Sequence, residues 1–216
     1  MNTEKLALIT GASRGFGAAV AEELAAAGWH VIAVARTVGA LEELDDRIQA
    51  RGGEATLAPM DVTDPDAMRH LCRSIHDRWG KLDLWVHTAI HVPPMSPTDH
   101  LDIKDWTKTV TTGVQAVGVL IPFVSPLLQA GAGTAVFVDD DNAGKFLGAY
   151  GAAKAAQRAL FDAWAAETAR TALPRVTSFT PKPMPTATRA RFYPGEDRSV
   201  LSSATDQAKR LLANLG

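Results

Sequence analysis

The chain has 216 residues, of which 46% are hydrophobic and 21% are charged, and its formal net charge at pH 7 is -2. This length and composition predict one globular domain, residues 1–216, with a sizeable hydrophobic core. The near-neutral charge excludes the strongly basic surface of a nucleic-acid-binding protein. The single cysteine, Cys72, excludes an intrachain disulfide and a cysteine-rich metal site. Residues 1–5 lack the apolar region of a signal peptide, and no apolar run approaches membrane-spanning length, so we expect a cytoplasmic protein.

Apolar, β-rich segments alternate with helical patterns along the chain. The predicted strands cover residues 6–9, 30–35, 55–60, 82–87, 134–138 and 175–179. The predicted helices run from residue 18 to the glycine at 28, through 41–48, and over 65–79, 103–128, 148–171 and 205–215. Asp64 and Pro65 predict the start of the third helix, and Gly80 predicts its end. Pro122 and Pro126 are expected to kink the fourth helix or to end it early.

The alternation of strands and helices predicts an α/β fold. Each strand is a nearly continuous apolar run, which is typical of a parallel sheet buried on both faces. Right-handed crossovers then give a Rossmann-like, doubly wound parallel β-sheet with helices on both faces. Ligands of such sheets bind outside the carboxyl ends of the strands, and this is the edge where we expect the functional site.

A glycine-rich turn follows the first strand directly. Residues 10–17 read TGASRGFG, and an Ala-rich helical pattern begins immediately afterwards. Strand, glycine turn and helix in this order are typical of a dinucleotide-binding turn. Its glycines allow a tight bend and a close approach of the backbone to a pyrophosphate at the helix N-terminus. The candidate cofactor-binding residues of the turn are Gly11, Ser13, Arg14, Gly15, Phe16 and Gly17.

Two motifs in the correct order resemble the short-chain dehydrogenase/reductase family. The turn fits the family's TGxxxGxG pattern, and Tyr150 and Lys154 fit its YxxxK pair. The resemblance covers nearly the whole chain, and residues 184–201 resemble a bacterial subgroup known mainly as uncharacterised oxidoreductases. It implies hydride transfer between a nicotinamide cofactor and a carbonyl or alcohol. Tyr150 would be the general acid or base, and Lys154 would lower its pKa and hold the cofactor ribose.

Charge near the turn predicts which nicotinamide cofactor is bound. An acidic residue after the second strand would favour NAD, but this position is Arg36, and Arg14 lies inside the turn. Two guanidinium groups suit a ribose 2′-phosphate, so NADP is expected in preference to NAD. The resemblance also implies adenine contacts from Asp61 and Val62. It implies further cofactor contacts from Ala89 and Thr186.

Three positions depart from the family pattern. Ile90 replaces a glycine beside the cofactor, and Gly113 aligns with an asparagine of the family's proton relay. The catalytic serine aligns with Asp141 or, as the less favoured alternative, with Asp140. An ionised aspartate only accepts hydrogen bonds, so it would repel an oxyanion and raise the pKa of Tyr150.

The loss of the serine can be compensated in two ways. One aspartate could stay protonated and donate, or the donor could be His87 or His91. A metal site is disfavoured, because adjacent carboxylates on an extended segment point in different directions. Two functions therefore stay open: an NADP-dependent oxidoreductase with Asp141 as a third catalytic member, or a catalytically impaired NADP-binding sensor or scaffold.

The remaining expectations concern partners and the substrate pocket. The resemblance implies a homodimer through the long helices 103–128 and 148–171, and a C-terminal end without the family's seventh strand. A small carbonyl or alcohol compound would be the substrate, with no nucleic-acid or membrane partner. Residues 91–101 and 183–199 would shape the substrate pocket.

Overall fold

Six parallel strands form one sheet in the computed structural model, which describes residues 5–140 and 144–215. The strand order is β3-β2-β1-β4-β5-β6. The strands are β1 (Leu6–Thr10), β2 (His30–Ala35), β3 (Glu54–Pro59), β4 (Leu84–His87), β5 (Thr134–Val138) and β6 (Arg175–Phe179). The order reverses between β1 and β4, the switch point at which such sheets bind ligands. The prediction of a Rossmann-like, doubly wound fold is confirmed.

Helices cover both faces of the sheet. They are α1 (Gly15–Ala26), α2 (Val38–Gln49), α3 (Pro65–Trp79), α4 (Ile103–Val110), α5 (Ala116–Ala130), α6 (Gly148–Thr168), α7 (Ala187–Phe192) and α8 (Ala204–Leu215). Side chains alternate along the strands, so Ala7 and Ile9 pack with α1, α2 and α8, whereas Leu6 and Leu8 pack with α3, α5 and α6. Both sides are therefore buried, which explains the continuous apolar runs. Cys72 of α3 is buried in the second of these clusters.

The ends of α3 follow the predicted signals. The Asp64 carboxylate accepts from the backbone N–H groups of Asp66 and Ala67, and Pro65 is the first helical residue. Gly80 ends the helix with φ +72°, in the left-handed region that glycine adopts without strain. The helix after β3 therefore begins and ends where the sequence predicts.

The predicted helix 103–128 is irregular at a different place from the one expected. It runs from Ile103 to Ala130, and its irregular part is a wider π-helical turn at Thr111–Gln115 rather than a break at a proline. Pro122 and Pro126 lie one turn apart on the exposed side of α5, while the opposite side is buried against the sheet. The helix therefore continues through both prolines, with its opposite side packed in the core.

This same segment corrects the expectation that no apolar run approaches membrane-spanning length. The helix Ile103–Ala130 is long and apolar enough for a membrane span by length and composition, with a mean hydropathy of 1.6 in its best window. One such helix is weak evidence, because core helices meet the same criterion. Here Val117, Leu120 and Val124 are fully buried against the sheet.

The proline-rich segment after β6 contains a helix that the sequence patterns do not predict. Helix α7 has only six residues and begins after Thr186, whose hydroxyl accepts from the Arg189 backbone N–H at 3.2 Å. A helix this short shows no recognisable periodicity. Helix α6 also ends at Thr168, three residues before the predicted end.

Candidate active site

A cleft of about 620 Å³ lies at the carboxyl ends of the strands. All of the predicted cofactor-binding residues line it, because each follows a strand or a turn at this edge. They are Gly11, Ser13, Arg14, Gly15, Phe16, Gly17, Arg36, Asp61, Val62, Ala89, Tyr150, Lys154 and Thr186. The sequence therefore brings together residues that lie up to 175 positions apart in the chain.

Two positions of the glycine turn require glycine because there is no room for a Cβ atom. A Cβ on Gly11 would lie 2.6 Å from the Ala89 backbone nitrogen, and φ there is +92°. A Cβ on Gly17 would lie 2.4 Å from the Gly11 carbonyl oxygen. Helix α1 begins at Gly15 without a side-chain cap, so its first N–H groups are available to an anion in the cleft.

The far end of the cleft is lined by Arg14, Arg36 and the segment after β3. Asp61 Oδ1 accepts from both the backbone N–H and the hydroxyl of Thr63, at 3.0 and 2.8 Å. Its other oxygen lies 3.9 Å from Arg36 Nη1. Both arginines are exposed at the mouth of the cleft, where they can reach a ligand phosphate.

Tyr150 lies at the start of α6 and is 2% exposed. Its hydroxyl donates to Asp140 Oδ2 in a short hydrogen bond. Burial raises the pKa of Tyr150 well above its ordinary value, and the charge of Asp140, the hydrogen bond to it and the charge of Asp139 raise it further. The rise expected from an aspartate therefore outweighs the lowering expected from Lys154, because a carboxylate rather than an ammonium group contacts the phenol.

Lys154 follows Tyr150 by one helical turn and also lines the cleft. Its ammonium group donates to the Val138 carbonyl at 2.7 Å and lies 5.2 Å from the centre of the Phe137 ring. Burial lowers the pKa of Lys154, while the charges of Asp140 and Asp139 oppose that change. The lysine is thus held against the end of β5, beside the two aspartates.

The two described aspartates after β5 have different partners. Asp139 is buried, and its Oδ2 accepts from Arg158 Nε at 2.7 Å. Its Oδ1 accepts from the Asp140 backbone N–H at 2.9 Å, and the Asp140 side chain lines the cleft against Tyr150. Asp140, the less favoured alternative, therefore faces the tyrosine, whereas the favoured Asp141 lies outside the described residues.

The two histidines proposed as substitute donors lie away from the cleft lining. His87 is buried, with Nδ1 2.8 Å from Thr10 Oγ1 and its ring edge-on to Trp85. Burial and the charge of Lys154 lower its pKa to about 3, against the opposing effect of a hydrogen bond with Ala89. His91 Nε2 lies 3.5 Å from Asp105. Neither histidine is among the residues that line the cleft, and a histidine as the substitute donor stays a prediction.

The other two departures from the family pattern have packing consequences. Gly113 is buried in the π-helical turn, and a Cβ there would lie 2.8 Å from the Ala153 Cβ. No larger side chain fits between these two helices unless one of them moves. Ile90 packs at the edge of an apolar cluster of Leu147, Tyr150 and Phe192.

Phe192 is the main contact that the sequence patterns do not predict. Its ring lies edge-on to Tyr150, with ring centres 4.8 Å apart. Arg191 Nη1 of the same helix donates to the Val92 carbonyl at 2.8 Å, and Arg189 pairs with Glu196 through two hydrogen bonds. These contacts hold α7 over the tyrosine. Its only sequence signal is the motif ARFYPGE in residues 190–196, which resembles the bacterial subgroup.

No group of three or more potential metal ligands occurs among residues 5–140 and 144–215. Asp139 is paired with Arg158 and lines the cleft together with Asp140.

Known proteins share both the sequence pattern and the fold. A family described as short chain dehydrogenase matches residues 5–197. A glycine betaine reductase from Emericella nidulans is 34% identical over 183 residues, which are 82% of this chain and 14% of that protein. This chain spans half or less of the length of several such curated relatives.

Solved structures resemble this chain over almost its entire length. A short chain dehydrogenase from Pseudomonas syringae is 27% identical with a TM-score of 0.91, covering 98% of this chain and 89% of that one. One from Escherichia coli, complexed with NADPH, is 26% identical with a TM-score of 0.89, covering 98% and 90%. Together with the turn, the sheet order and the Tyr150–Lys154 pair, these matches identify the chain as a member of the short-chain dehydrogenase family of oxidoreductases.

Proposed function

We propose that the protein is an NADP-dependent oxidoreductase that acts on a small carbonyl or alcohol compound. The observation that carries this proposal is the single cleft that unites the glycine turn with Tyr150 and Lys154. A protein that only retained the fold would not require a tyrosine and a lysine one turn apart on the cleft wall. The NADPH complex of the Escherichia coli relative supports the choice of cofactor.

The residues present fit the cofactor. The N-terminus of α1 would hold the pyrophosphate, Arg14 and Arg36 the 2′-phosphate, and Asp61 and Val62 the adenine. Ser13, Gly15, Phe16 and Ala89 would complete the walls of this half of the cleft. Thr186 would contact the carboxamide, and Lys154 the ribose. When bound, the cofactor supplies or accepts the hydride.

Tyr150 is proposed to act at the substrate oxygen, in a site from which bulk water is largely excluded. Leu147, Ile90 and Phe192 surround its ring, so the substrate carbon skeleton would meet apolar side chains. Such surroundings favour aldehydes, ketones or alcohols with aliphatic or aromatic substituents over charged ones.

A second candidate function is an NADP-binding protein with little turnover. The specific observation in its favour is that the Tyr150 hydroxyl donates to a carboxylate while Phe192 covers its ring. A serine at that position would offer a donor to a substrate carbonyl, and loss of one such donor typically costs about 10²–10³ in rate.

Binding and turnover measurements separate these candidates. NADPH and NADH would be titrated separately by cofactor fluorescence, and a panel of aldehydes and ketones would then be screened with the tighter cofactor. We expect tighter binding of NADPH and measurable oxidation of it by at least one apolar carbonyl compound. Tight NADPH binding without turnover would favour the second candidate, and binding of neither nucleotide would contradict both.

A cytoplasmic homodimer is also proposed. The outer sides of α5 and α6 carry small exposed residues, among them Gly118, Ala152, Ala155 and Ala159, which allow close helix packing between two copies. Asp141 lies outside the described residues, and its role as a third catalytic member stays a prediction. Light scattering should give twice the 23.0 kDa mass of the chain, and a monomer would contradict this arrangement.

A further inference from the structure

The closed end of the cleft has a carboxylate beside the hydroxyl that is proposed to contact the substrate. Tyr150 donates its O–H to Asp140 Oδ2 in a short hydrogen bond, and both residues line the cleft. A substrate atom within hydrogen-bond reach of the Tyr150 hydroxyl therefore lies close to this carboxylate. A carboxylate has about four sites at which it can accept, so Asp140 can accept from a ligand as well as from Tyr150.

Two arginines near this end of the cleft are each paired with an acidic residue. Arg158 Nε donates to Asp139 Oδ2 at 2.7 Å. Arg189 donates to both carboxylate oxygens of Glu196. Each pair contains one positive and one negative charge, so the two pairs add no net charge to this end of the cleft.

Lys154 is a third cation in this region. Its ammonium group donates to the Val138 carbonyl at 2.7 Å, which holds the group at the end of β5. The Tyr150 hydroxyl has the Asp140 carboxylate as its hydrogen-bond partner. The charged group in contact with this hydroxyl is therefore negative.

A negative charge at this position favours one class of reacting group over another. A carbonyl oxygen gains negative charge as a hydride arrives at its carbon, and a nearby carboxylate opposes that change. A protonated imine instead carries a positive charge and an N–H on the reacting nitrogen, and a carboxylate stabilises both. Its substituents would meet the apolar side chains of Leu147, Ile90 and Phe192.

We propose that this cleft also reduces protonated imines, with Asp140 accepting a hydrogen bond from the iminium N–H, and that it prefers them to neutral ketones of similar size. This inference rests on the proposed NADP-dependent oxidoreductase function. The preference should appear in kcat/KM, because the transition state keeps part of the positive charge of the iminium group.

The reaction balances without proton transfer in the hydride step. The imine takes up its proton from water before it binds. A hydride from NADPH then forms a C–H bond at the iminium carbon, and the electron pair of the C=N π bond becomes the lone pair of a neutral amine. Tyr150 can donate its O–H to this new lone pair, which leaves its role as acid and base toward a carbonyl unchanged.

Binding of a cationic amine tests the carboxylate without any turnover. Protonated tetrahydroisoquinoline, the product of dihydroisoquinoline reduction, would be titrated by calorimetry into the NADPH complex. We expect binding that Asp140→Asn weakens by about tenfold or more, because a charge-assisted hydrogen bond is lost. Asp206→Asn, which changes an exposed acidic residue on α8, is the matched control and should leave the affinity unchanged. Equal affinities of the unmodified protein and Asp140→Asn would overturn the inference.

Kinetics with two substrates of similar size give a second reading. At slightly acidic pH, kcat/KM should be higher for protonated dihydroisoquinoline than for tetralone, a neutral ketone. Asp140→Asn should lower the value for the imine by about 10- to 100-fold and raise the value for tetralone. Circular dichroism and NADPH titration would establish that the variant is folded and binds the cofactor.

The outcomes separate this inference from the proposed function. Preference of the unmodified protein for tetralone, or an equal effect of Asp140→Asn on both substrates, would overturn the inference and leave the proposed function standing. Failure of the unmodified protein to oxidise NADPH with either compound or with the carbonyl panel would instead contradict the proposed function.

Discussion

The two halves of the cleft differ in how far they retain the family pattern. The half formed by α1, β2 and β3 keeps every glycine of the TGxxxGxG turn. Arg14 and Arg36 are exposed at the mouth of this half. In the half formed by β5, α6 and α7, the Tyr150 hydroxyl donates to the Asp140 carboxylate and Phe192 covers the Tyr150 ring. The first half is thus shaped by local turns, and the second by contacts between distant side chains.

The largest expected effect is at Phe192, in the altered half. Phe192→Ala removes a buried ring that packs on Tyr150, and should lower the free energy of unfolding by about 3–5 kcal/mol. If the variant stays folded, it should oxidise NADPH with bulkier ketones than the unmodified protein does. Thermal unfolding and the carbonyl panel measure the two effects. Unchanged stability would show that the ring does not cover the tyrosine in solution.

Next in size is a change to the intact half. Gly17→Ala forces a Cβ against the Gly11 carbonyl and should cost about 1–3 kcal/mol of stability together with most of the NADPH affinity. Gly39→Ala is the matched control, since a Cβ there has no neighbour within 4 Å and lies in α2. Calorimetry and cofactor titration of both variants would check this. Equal stability and equal NADPH affinity of the two variants would contradict the steric role of Gly17 in the turn.

The stability of the folded protein should depend on pH through His87. Its pKa is lowered to about 3 when folded, so the unfolded state binds more protons below an unfolded value of about 6.5. The contribution of the neutral histidine to stability is therefore fully present above this unfolded pKa and is lost as the pH falls. The loss should be about 2 kcal/mol by about pH 5. Denaturant unfolding across this range should give a shallower slope for His87→Gln than for His76→Gln, which changes an exposed ring.

The smallest effect concerns cofactor choice. Arg36→Ala removes one exposed guanidinium from the mouth of the cleft and should weaken NADPH binding by about tenfold. NADH affinity should change little, because NADH lacks the 2′-phosphate. Arg47→Ala, an exposed arginine on α2 paired with Glu22, is a suitable control. Equal loss of both nucleotides would contradict the assignment of Arg36 to the 2′-phosphate.

The intact half could be predicted from the sequence almost completely. The glycine turn, Arg36 and Asp61 are each adjacent to a strand, so local patterns place them at the carboxyl edge of the sheet. Tyr150 and Lys154 are likewise fixed by one turn of a long helix. Their positions depend on short-range geometry, which periodicity and spacing describe well.

The altered half depends on tertiary contacts that no local pattern contains. Asp139, the residue before Asp140, is held by Arg158, and this pair joins residues 19 positions apart. Phe192 lies on a helix of six residues within a proline-rich segment, and only its packing on Tyr150 reveals its importance. Whether an aspartate or Lys154 determines the direction of the change in the pKa of Tyr150 also depends on such tertiary contacts.

The central claim is that NADPH binds in the intact half and reacts under the control of the altered half. It is tested most directly by following NADPH oxidation with the carbonyl panel in the unmodified protein and in Asp140→Asn. The account predicts tight NADPH binding by both proteins and faster turnover by the second, because an amide can donate to the substrate oxygen and no longer raises the pKa of Tyr150. Equal turnover by the two proteins, or no NADPH binding by either, would contradict it.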